Sequence, residues 1–270
     1  MADRAYVEVI GDPIAHSKSP LIHGFWLDAL GLDGEYRATR VAPDGLAGYF
    51  AERRADPAWR GCNVTVPHKV VALDHVEDRG GVRATIGAIN TVFRDGEALV
   101  GTNTDAAGFY APLSGFDFAG KPVVVVGAGG AARAVLFALQ RMEVGPVTLL
   151  NRTPLKGAAL LAAFGLKGRA LPLSAPLPPA SLVVNASPLG MTGQPALDLD
   201  LSPLPGDAVV YDLVYAPLET DLMAQAADRG LEVVDGLEML VAQAALAFEI
   251  LWGREPPRER DDELRDLLVA

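Results

Sequence analysis

The sequence has 270 residues, a mass of 28.4 kDa, 50% hydrophobic residues and 21% charged residues. This length allows one large or two modest domains with real cores, and the composition excludes a disordered or collagen-like chain. The formal net charge of −11 disfavours general binding to nucleic acid or to an anionic membrane, because like charges repel at long range. Any anionic ligand must therefore be bound by local groups.

The start of the chain and its cysteine content favour a cytoplasmic location. The first residues, MADRAYVEVIGDP, lack a basic region followed by an apolar core, and the single Cys62 cannot form a disulfide within the chain. We expect Cys62 to be a small core residue. The most apolar stretch, residues 122–139, is too short and too interrupted to predict a membrane span.

Short β-branched runs alternate with longer helical patterns in the first part of the chain. Strands are predicted at 5–10, 36–41 and 62–66, and helices at 20–30, 44–54 and 67–76. This alternation is typical of βαβ units and a mostly parallel sheet. Asp95-Gly96, between apolar runs at 89–94 and 97–102, predicts a tight hairpin that closes a first domain.

The alternation restarts at residue 121 and predicts a second α/β unit. Its strands are expected at 122–126, 146–150, 181–184, 208–212 and 231–234, and its helices at 130–141, 154–163, 217–229 and 237–251. Such a series is typical of a doubly wound unit. The predicted fold class is therefore α/β, with an N-terminal domain built on a mostly parallel sheet and a second, Rossmann-like domain.

A continuous apolar strand runs into a glycine turn and then a helix at residues 123–133, in the pattern G-x-G-x-x-A. Gly127 permits the tight turn, Gly129 lets the backbone approach a pyrophosphate, and Ala132 allows close packing of helix on strand. The helix N-terminus offers free N–H groups to the phosphates. The pattern predicts a dinucleotide site, and a purely structural glycine turn is the alternative.

The second strand of this unit is followed by Asn151-Arg152-Thr153-Pro154. An NAD site usually carries an acidic residue here, whereas a guanidinium suits the 2′-phosphate of NADP. Thr153 and Pro154 are also typical of an N-cap followed by the first helical residue. We predict NADP as the cofactor. A solvated Arg152 beside an ordinary cap is the alternative.

Polar clusters outside the nucleotide unit are candidates for substrate binding. They are HSKSP at 16–20, NVTVPHK at 63–69, AINT at 88–91 and GTNTD at 101–105. Ser19-Pro20 is typical of an N-cap and first helical residue, and each cluster alone could be a turn or a cap. His68 is expected to be structural, and His23 and His75 to be surface residues or to have satisfied partners. No metal-ligand spacing is present, so no metal is predicted.

Taken together, in this order, these clusters resemble those of the shikimate dehydrogenase family. The resemblance extends from His16 to Leu251 and includes GAGGAARA, NRT, NASPLGM, DLVYAPLET and GLEMLVAQAALAFEIL. It implies reversible reduction of 3-dehydroshikimate to shikimate with NADPH. It also implies that the last helices return to the first domain, so we expect a substrate domain of 1–105 plus 238–270 and an NADP-binding domain of 106–237.

The resemblance implies a role for each matched residue. Ser17 and Ser19, with Tyr215, would hold the substrate carboxylate, while the hydroxyl groups would be bound by Thr65, Asn90 and Gln243. Lys69 and Asp105 would form the catalytic pair. The residues that would hold the nucleotide are Gly127, Gly129, Gly130, Ala131, Asn151, Arg152 and Thr153, with Ser187, Leu213 and Gly236 on the nicotinamide side.

Two other functions remain open at this point. One is a quinate/shikimate dehydrogenase with relaxed cofactor use, and the other is a non-catalytic NADP-binding sensor. The presence of both Lys69 and Asp105 weighs against the sensor. The expected partner is a small-molecule substrate, with no nucleic acid and no membrane; the assembly state is left open, with a homodimer as one alternative.

Overall fold

The computed structural model describes residues 4–270. The chain divides into two compact units, Met1–Thr104 with Val241–Ala270 and Asp105–Leu240. The strands are β1 (Tyr6–Gly11), β2 (Glu35–Arg40), β3 (Trp59–Val64), β4 (Thr91–Asp95), β5 (Ala98–Thr102), β6 (Val123–Val126), β7 (Val147–Leu150), β8 (Gly168–Leu171), β9 (Leu182–Asn185), β10 (Val209–Asp212) and β11 (Glu232–Val234).

The α-helices are α1 (Ser19–Ala29), α2 (Leu46–Ala55), α3 (Val82–Thr85), α4 (Asp105–Tyr110), α5 (Gly130–Arg141), α6 (Pro154–Ala163), α7 (Asp221–Asp228), α8 (Gly236–Trp252) and α9 (Asp261–Val269). Short 3-10 helices occupy Pro43–Gly45, Val71–His75, Ala111–Leu113 and Arg258–Arg260. Both units therefore mix helices and strands, which confirms the predicted α/β class.

The first unit contains a five-stranded sheet in the order β2-β1-β3-β4-β5. β1 is parallel to β2 and β3, whereas β4 is antiparallel to both β3 and β5. Of these five strands only β4 runs against the others, so the sheet is mostly parallel. The reversal is the predicted hairpin, in which Gly96 adopts a φ of 61° that an L side chain disfavours.

The second unit contains a six-stranded, fully parallel sheet in the order β11-β10-β9-β6-β7-β8. Counted from β6 this is the 3-2-1-4-5-6 order of a dinucleotide-binding fold. Alternate residues of β6 enter different cores, with Val123 and Val125 in one cluster and Val124 and Val126 in the other. Burial on both faces explains why this strand is apolar throughout.

The prediction of a helix at 67–76 was wrong. Only a 3-10 helix at Val71–His75 forms there, after a series of turns. A helix would require the carbonyl of Lys69 to accept from the amide of Leu73, but that carbonyl accepts from the amide of Ile89 instead, at 2.8 Å. A contact distant in sequence thus overrides the local helical pattern.

His23 also differs from expectation, because it is neither a surface residue nor hydrogen-bonded. Its side chain is fully buried, and neither ring nitrogen has a hydrogen-bond partner among the residues that the structure describes. The ring stacks on Tyr36 with 4.0 Å between centroids and lies near Trp26 and Phe248. Burial lowers the pKa of His23 to about 3, so the imidazole is a neutral part of an aromatic core.

Candidate active site

The loop between β1 and α1 carries the two serines expected to bind a carboxylate. Lys18, not Ser19, occupies the N-cap position, so Ser19 is the first helical residue and the predicted cap assignment was wrong by one position. The Ser17 hydroxyl accepts from the amide of Ser19 at 3.3 Å. The structure therefore brings both hydroxyls to the start of α1, where amide groups and the helix dipole favour an anion.

The segment after β3 carries Thr65 and Lys69, and backbone hydrogen bonds fix it on both sides. The amide of Thr65 donates to the carbonyl of Ile10 in β1, and the carbonyl of Lys69 accepts from the amide of Ile89. The second bond joins the Lys69 segment to the residue immediately before Asn90. His68, between Thr65 and Lys69 in the chain, is fully buried, and its Nε2 lies 2.7 Å from the carbonyl oxygen of Val41. This contact is in keeping with the structural role expected for His68.

Asn90 is the centre of a buried hydrogen-bond cluster. Its Oδ1 accepts from the amide of Thr104 at 2.7 Å and from the hydroxyl of Thr91 at 3.2 Å. Its Nδ2 donates to Oγ1 of Thr104 at 2.8 Å and to Oε1 of Gln243 at 3.1 Å. The structure thus brings together two predicted hydroxyl-binding residues, Asn90 and Gln243, that are separated by 153 positions in the chain.

Three further polar residues in this cluster were not assigned from the sequence. Asn63 donates to Oγ1 of Thr91 at 3.0 Å, the phenol of Tyr36 donates to Oδ1 of Asn63 at 2.6 Å, and Thr104 contacts Asn90. Asn63 opens the polar cluster at 63–69, and its place there was a usable signal for it. No local pattern indicated Tyr36. It lies in β2, which is separated in the sheet by β1 and β3 from β4, the strand that follows Asn90.

Asp105 is the first residue of α4 and belongs to the second unit, where it is almost fully buried. Lys69 belongs to the first unit and is half-buried. The sequence assigned these two residues to one catalytic pair, and that assignment stays a prediction. A carboxylate at the first turn of a helix is favoured by the helix dipole.

The parallel sheet of the second unit places the predicted nucleotide-binding loops at one edge. Val126 at the end of β6 is in register with Leu150 of β7 and Asn185 of β9, and Asn185 is in register with Asp212 of β10. The loops after these strands therefore begin at the same level. This edge, at the carboxyl ends of the strands, is where doubly wound folds bind ligands.

The glycine turn between β6 and α5 has the properties that a pyrophosphate requires. Gly127 has a φ of +106°, and a Cβ there would lie 2.9 Å from the carbonyl oxygen of Ala186, so only glycine fits. A Cβ on Gly129 would meet no atom within 4 Å, which leaves its backbone accessible. Gly129 caps α5 without a side chain, and Gly130 and Ala131 begin that helix. The turn therefore fits a dinucleotide phosphate.

The turn after β7 fits the extra phosphate of NADP. Nδ2 of Asn151 donates to the carbonyl of Thr153 at 2.9 Å and so fixes the turn, while Arg152 is exposed. Thr153 occupies the N-cap of α6, followed by Pro154, but its hydroxyl makes no capping bond. An exposed guanidinium beside a helix start is a suitable group for a dianion.

A second buried polar cluster shapes the loops after β9 and β10. Asn185 donates to Oδ1 of Asp212 and accepts from the amide and hydroxyl of Ser187. Oδ2 of Asp212 accepts from the hydroxyl of Thr220 at 2.7 Å, and Oδ1 accepts from the amide of Val214. Burial raises the pKa of Asp212, an effect that these hydrogen bonds oppose.

The remaining predicted residues of the second unit lie beside this cluster. The amide of Leu213 donates to the carbonyl of Asn185, and a Cβ on Gly236 would lie 2.6 Å from the carbonyl oxygen of Leu213, so glycine is required there. Tyr215 follows in the same loop after β10, and burial raises the pKa of its phenol. Its expected role with Ser17 and Ser19, which lie in the first unit, stays a prediction.

Residues 4–270 contain neither a metal-binding cluster nor a membrane-spanning helix. No group of three or more His, Cys, Asp or Glu side chains is arranged to hold a metal ion in that range. None of the helices formed by these residues has the length and apolar character needed to cross a membrane.

A parallel sheet in this order, with a glycine turn after its first strand and an exposed Arg152 after the second, is typical of an NADP-dependent dehydrogenase. Two family models match the chain: the shikimate dehydrogenase substrate binding domain at residues 9–92, and the shikimate 5'-dehydrogenase C-terminal domain at residues 236–261. The chain is 66% identical to shikimate dehydrogenase (NADP(+)) of Sphingopyxis alaskensis, over 98% of this chain and 97% of that one. The chain belongs to the shikimate dehydrogenase family.

Solved structures agree with this assignment. Shikimate 5-dehydrogenase of Thermus thermophilus, in complex with NADP(H) and shikimate, is 40% identical with a TM-score of 0.85, over 98% of this chain and 99% of that one. Quinate dehydrogenase of Corynebacterium glutamicum, in complex with NAD, is 28% identical with a TM-score of 0.84, over 98% and 99%. The fold is thus shared by enzymes that differ in substrate and cofactor.

Proposed function

We propose that this enzyme reduces 3-dehydroshikimate to shikimate, reversibly and with NADPH, using Lys69 and Asp105 as its acid–base pair. The activity is that of the 66% identical relative, which covers nearly the whole chain. The observation that carries the proposal is the cluster around Asn90: the segment that carries the amine of Lys69 is hydrogen-bonded to the residue before Asn90, whose side-chain amide binds that of Gln243. Such a combination suits an alcohol that must be bound and deprotonated.

The carboxylate of the substrate is assigned to Ser17 and Ser19. Both hydroxyls lie at the start of α1, and the adjoining amides add donors that do not depend on the overall charge of the chain. Tyr215, from the loop after β10, contributes a third hydroxyl. Local donors of this type allow an anion to bind to a protein with a net charge of −11.

The ring hydroxyls are assigned to Thr65, Asn90 and Gln243. An amide can donate and accept at once, so a pair of amides can recognise a hydroxyl that does the same. A site of this kind rejects an analogue that lacks the hydroxyl, because its own buried polar groups are then left unpaired. The amide–amide bond from Asn90 to Gln243 supports this assignment.

Proton transfer is assigned to Lys69. In the reducing direction its ammonium donates a proton to the oxygen of the ketone as the carbon is reduced, and in the oxidising direction the amine takes the hydroxyl proton back. Asp105 orients the ammonium and accepts a hydrogen bond from a substrate hydroxyl. NADPH, when bound, supplies the hydride, so that the carbon gains a hydride and the oxygen gains a proton.

The nucleotide is assigned to the carboxyl edge of the second sheet. Gly127, Gly129, Gly130 and Ala131 would bind the pyrophosphate, and Asn151, Arg152 and Thr153 would bind the 2′-phosphate. Ser187, Leu213 and Gly236 would line the nicotinamide side. The hydrogen bonds that fix these loops, from Asn151 and from Asn185, support a site whose geometry exists before the nucleotide binds.

A quinate/shikimate dehydrogenase that uses NAD is the second candidate, because a structural neighbour is a quinate dehydrogenase in complex with NAD. The exposed Arg152, with no acidic residue at 151–153, favours NADP instead. With this assignment, shikimate and 3-dehydroshikimate are the small-molecule partners of the enzyme. A homodimer and a cytoplasmic location remain proposals that a sedimentation measurement and fractionation of the source cells would test.

Steady-state kinetics decide between these candidates. The purified enzyme is mixed with NADP or NAD and with shikimate or quinate, and reduction of the nucleotide is followed by absorbance. We expect the highest kcat/KM for shikimate with NADP. Equal or higher kcat/KM for quinate with NAD would favour the second candidate, and binding of NADPH without turnover of any pair would favour a sensor.

A further inference from the structure

The unassigned residue Tyr36 lies at the beginning of a chain of hydrogen bonds that ends at Gln243. We use the term amide chain for the series Tyr36, Asn63, Thr91, Asn90 and Gln243. Its links are 2.6, 3.0, 3.2 and 3.1 Å long, in that order. Every member belongs to the first unit. The first four members are buried, so water cannot readily replace a missing link.

The donors of the amide chain all point in the same direction. Tyr36 donates its hydroxyl proton to Oδ1 of Asn63, and the NH₂ group of Asn63 donates to Thr91 and to the carbonyl of Asn90. Thr91 has then accepted a bond, and it donates its own proton to Oδ1 of Asn90. Asn90 consequently presents its NH₂ group to Oε1 of Gln243.

Two contacts hold Tyr36 in the orientation that begins this series. The phenol ring stacks on the buried, neutral His23 with an interplanar angle of 15°. Ser19, one of the serines assigned to the substrate carboxylate, lies close enough to the phenol oxygen to lower its pKa, against the rise that burial causes. Tyr36 therefore lies between the carboxylate end of the proposed site and its hydroxyl-binding end.

We propose that Tyr36 is a positioning residue whose hydroxyl proton, together with the amide of Thr104, holds the amides of Asn90 and Gln243 in the orientation that recognises a substrate hydroxyl. Tyr36 acts through Asn63 and Thr91 and is not itself a catalytic residue. The inference rests on the proposed function, since it concerns how the same site distinguishes a ring that carries a hydroxyl from one that lacks it. Without that proton Oδ1 of Asn63 loses its bond to Tyr36, and the chain that holds the amides of Asn90 and Gln243 is loosened at its beginning.

The test compares Tyr36→Phe with Tyr49→Phe. Tyr49 is a matched control, because it is an equally buried tyrosine of the same unit and its hydroxyl donates to Glu8 at 2.8 Å, outside the amide chain. Each variant is assayed with NADP and either shikimate or 4-deoxyshikimate, in which the hydroxyl next to the reacting carbon is replaced by hydrogen. Thermal melting reports the folding of each variant.

For Tyr36→Phe we expect a rise of about tenfold in the KM for shikimate, with a smaller change in kcat and an unchanged KM for NADP. The preference for shikimate over 4-deoxyshikimate should fall by about the same factor. Tyr49→Phe should keep the wild-type preference even where its melting temperature falls. A purely structural role for Tyr36 would lower the melting temperature without changing this preference.

A folded Tyr36→Phe enzyme with the wild-type KM and preference would overturn the inference. If that variant does not fold, Thr91→Val decides, because it removes the hydroxyl that links Asn63 to Asn90 while keeping the shape of the side chain and leaving Tyr36 in place. Loss of preference in Thr91→Val supports the amide chain, and retention overturns it. Failure of the wild-type enzyme to oxidise shikimate would refute the proposed function itself, which is a separate result.

Discussion

Asn185 donates a hydrogen bond of 2.9 Å from Nδ2 to Oδ1 of Asp212, and both side chains are completely buried at the ends of adjacent parallel strands. Asp212 also accepts from the amide of Val214 and the hydroxyl of Thr220. The side-chain amide of Asn185 in turn binds Ser187 through its oxygen. One buried carboxylate therefore fixes both loops assigned to the nicotinamide side.

Asp212→Ala should lower the free energy of unfolding by about 1–3 kcal/mol, since it leaves buried donors without an acceptor. It should also raise the KM for NADPH, because Ser187 and the loop after β10 lose their common support. Chemical denaturation and steady-state kinetics measure the two effects. Asp212→Asn should recover part of the lost stability and part of the lost affinity for NADPH, because one oxygen acceptor remains.

Asp200→Ala is the matched control, because Asp200 lies in an exposed loop of the same unit and accepts from the amide and hydroxyl of its near neighbour Ser202. This control should change neither KM nor stability appreciably. A destabilised Asp212→Ala enzyme with an unchanged KM for NADPH would restrict the cluster to a folding role.

The sequence predicted the core of the nucleotide unit from local signals, and it missed an edge strand whose pairing depends on contacts distant in the chain. The apolar run of β6 and the glycine turn after it indicated the nucleotide unit, because a strand buried on both faces and a position with positive φ each leave a mark in the sequence. The edge strand β8, with exposed Gly168 and Arg169, leaves no such mark. All four residues of β8 pair in register with β7, and this pairing brings Gly168 against the backbone of Val147.

The same distinction applies to the candidate site. Ser17, Lys69 and Asn90 lie in compact polar motifs and could be selected from the sequence. Tyr36 could not, because a lone tyrosine in a strand is an ordinary core residue until its partner, Asn63, is known. The boundary of α1 failed for a related reason: serine followed by proline suits both the N-cap and the first helical position.

Ser17→Ala and Ser19→Ala should each raise the KM for shikimate and leave the KM for NADPH unchanged. Ser17→Ala should in addition lower stability by about 0.5–1 kcal/mol, since its hydroxyl accepts from the amide of Ser19. Kinetics with each substrate varied in turn, together with melting curves, measure these effects. Ser114→Ala, which changes an exposed serine of the other unit, is the control. If Ser17→Ala or Ser19→Ala lowers stability but leaves the KM for shikimate unchanged, the serine concerned does not belong to the carboxylate site.

Glu8→Gln should weaken the dependence of stability on acid. Burial raises the pKa of Glu8, but hydrogen bonds from Arg53, Thr39 and Tyr49 outweigh burial and hold this pKa below 4.5. A depressed pKa in the folded state contributes stability above the pKa of the unfolded state, and this contribution is lost as the pH falls through the folded value. The wild-type enzyme should therefore lose stability below about pH 4.5 more steeply than the variant.

Denaturation curves between pH 3 and 7 measure this difference, which should be on the order of 1.5–3 kcal/mol at neutral pH, the range for a hydrogen bond to a charged group. Glu52→Gln is the control, because Glu52 lies beside the same Arg53 but is exposed. Identical pH dependence in wild type and Glu8→Gln would show that other carboxylates govern acid unfolding.

Arg152→Ala should weaken the binding of NADPH far more than the binding of NADH, because only NADPH has the 2′-phosphate assigned to the guanidinium. A charge-assisted hydrogen bond of this type contributes about 1.5–3 kcal/mol, which corresponds to a loss of roughly tenfold to a hundredfold in affinity. Arg141→Ala, at the opposite end of α5 from the glycine turn, is the control. Titration of both nucleotides measures the effect, and equal weakening of the two would assign Arg152 to stacking or to structure.

Lys69→Ala should lower kcat by roughly 10²–10⁴-fold, the usual contribution of a positioned acid or base, with a much smaller change in the KM for shikimate. The backbone bond from Ile89 to the carbonyl of Lys69 does not involve the side chain, so the segment should keep its position in the variant. Asp105→Asn should affect both kcat and KM, because its carboxylate is assigned to orient Lys69 and to bind a hydroxyl.

Steady-state kinetics of both variants, with folding checked by circular dichroism, test the assignment. Lys121→Ala removes an exposed lysine that precedes β6, at the edge of the sheet opposite the glycine turn, and should keep the wild-type kcat. Since Lys69 is assigned to transfer the proton in both directions, its loss should slow oxidation and reduction to a similar extent. A correctly folded Lys69→Ala enzyme with near-wild-type kcat would transfer the proton step to Asp105 or to water and would refute the central assignment of the mechanism.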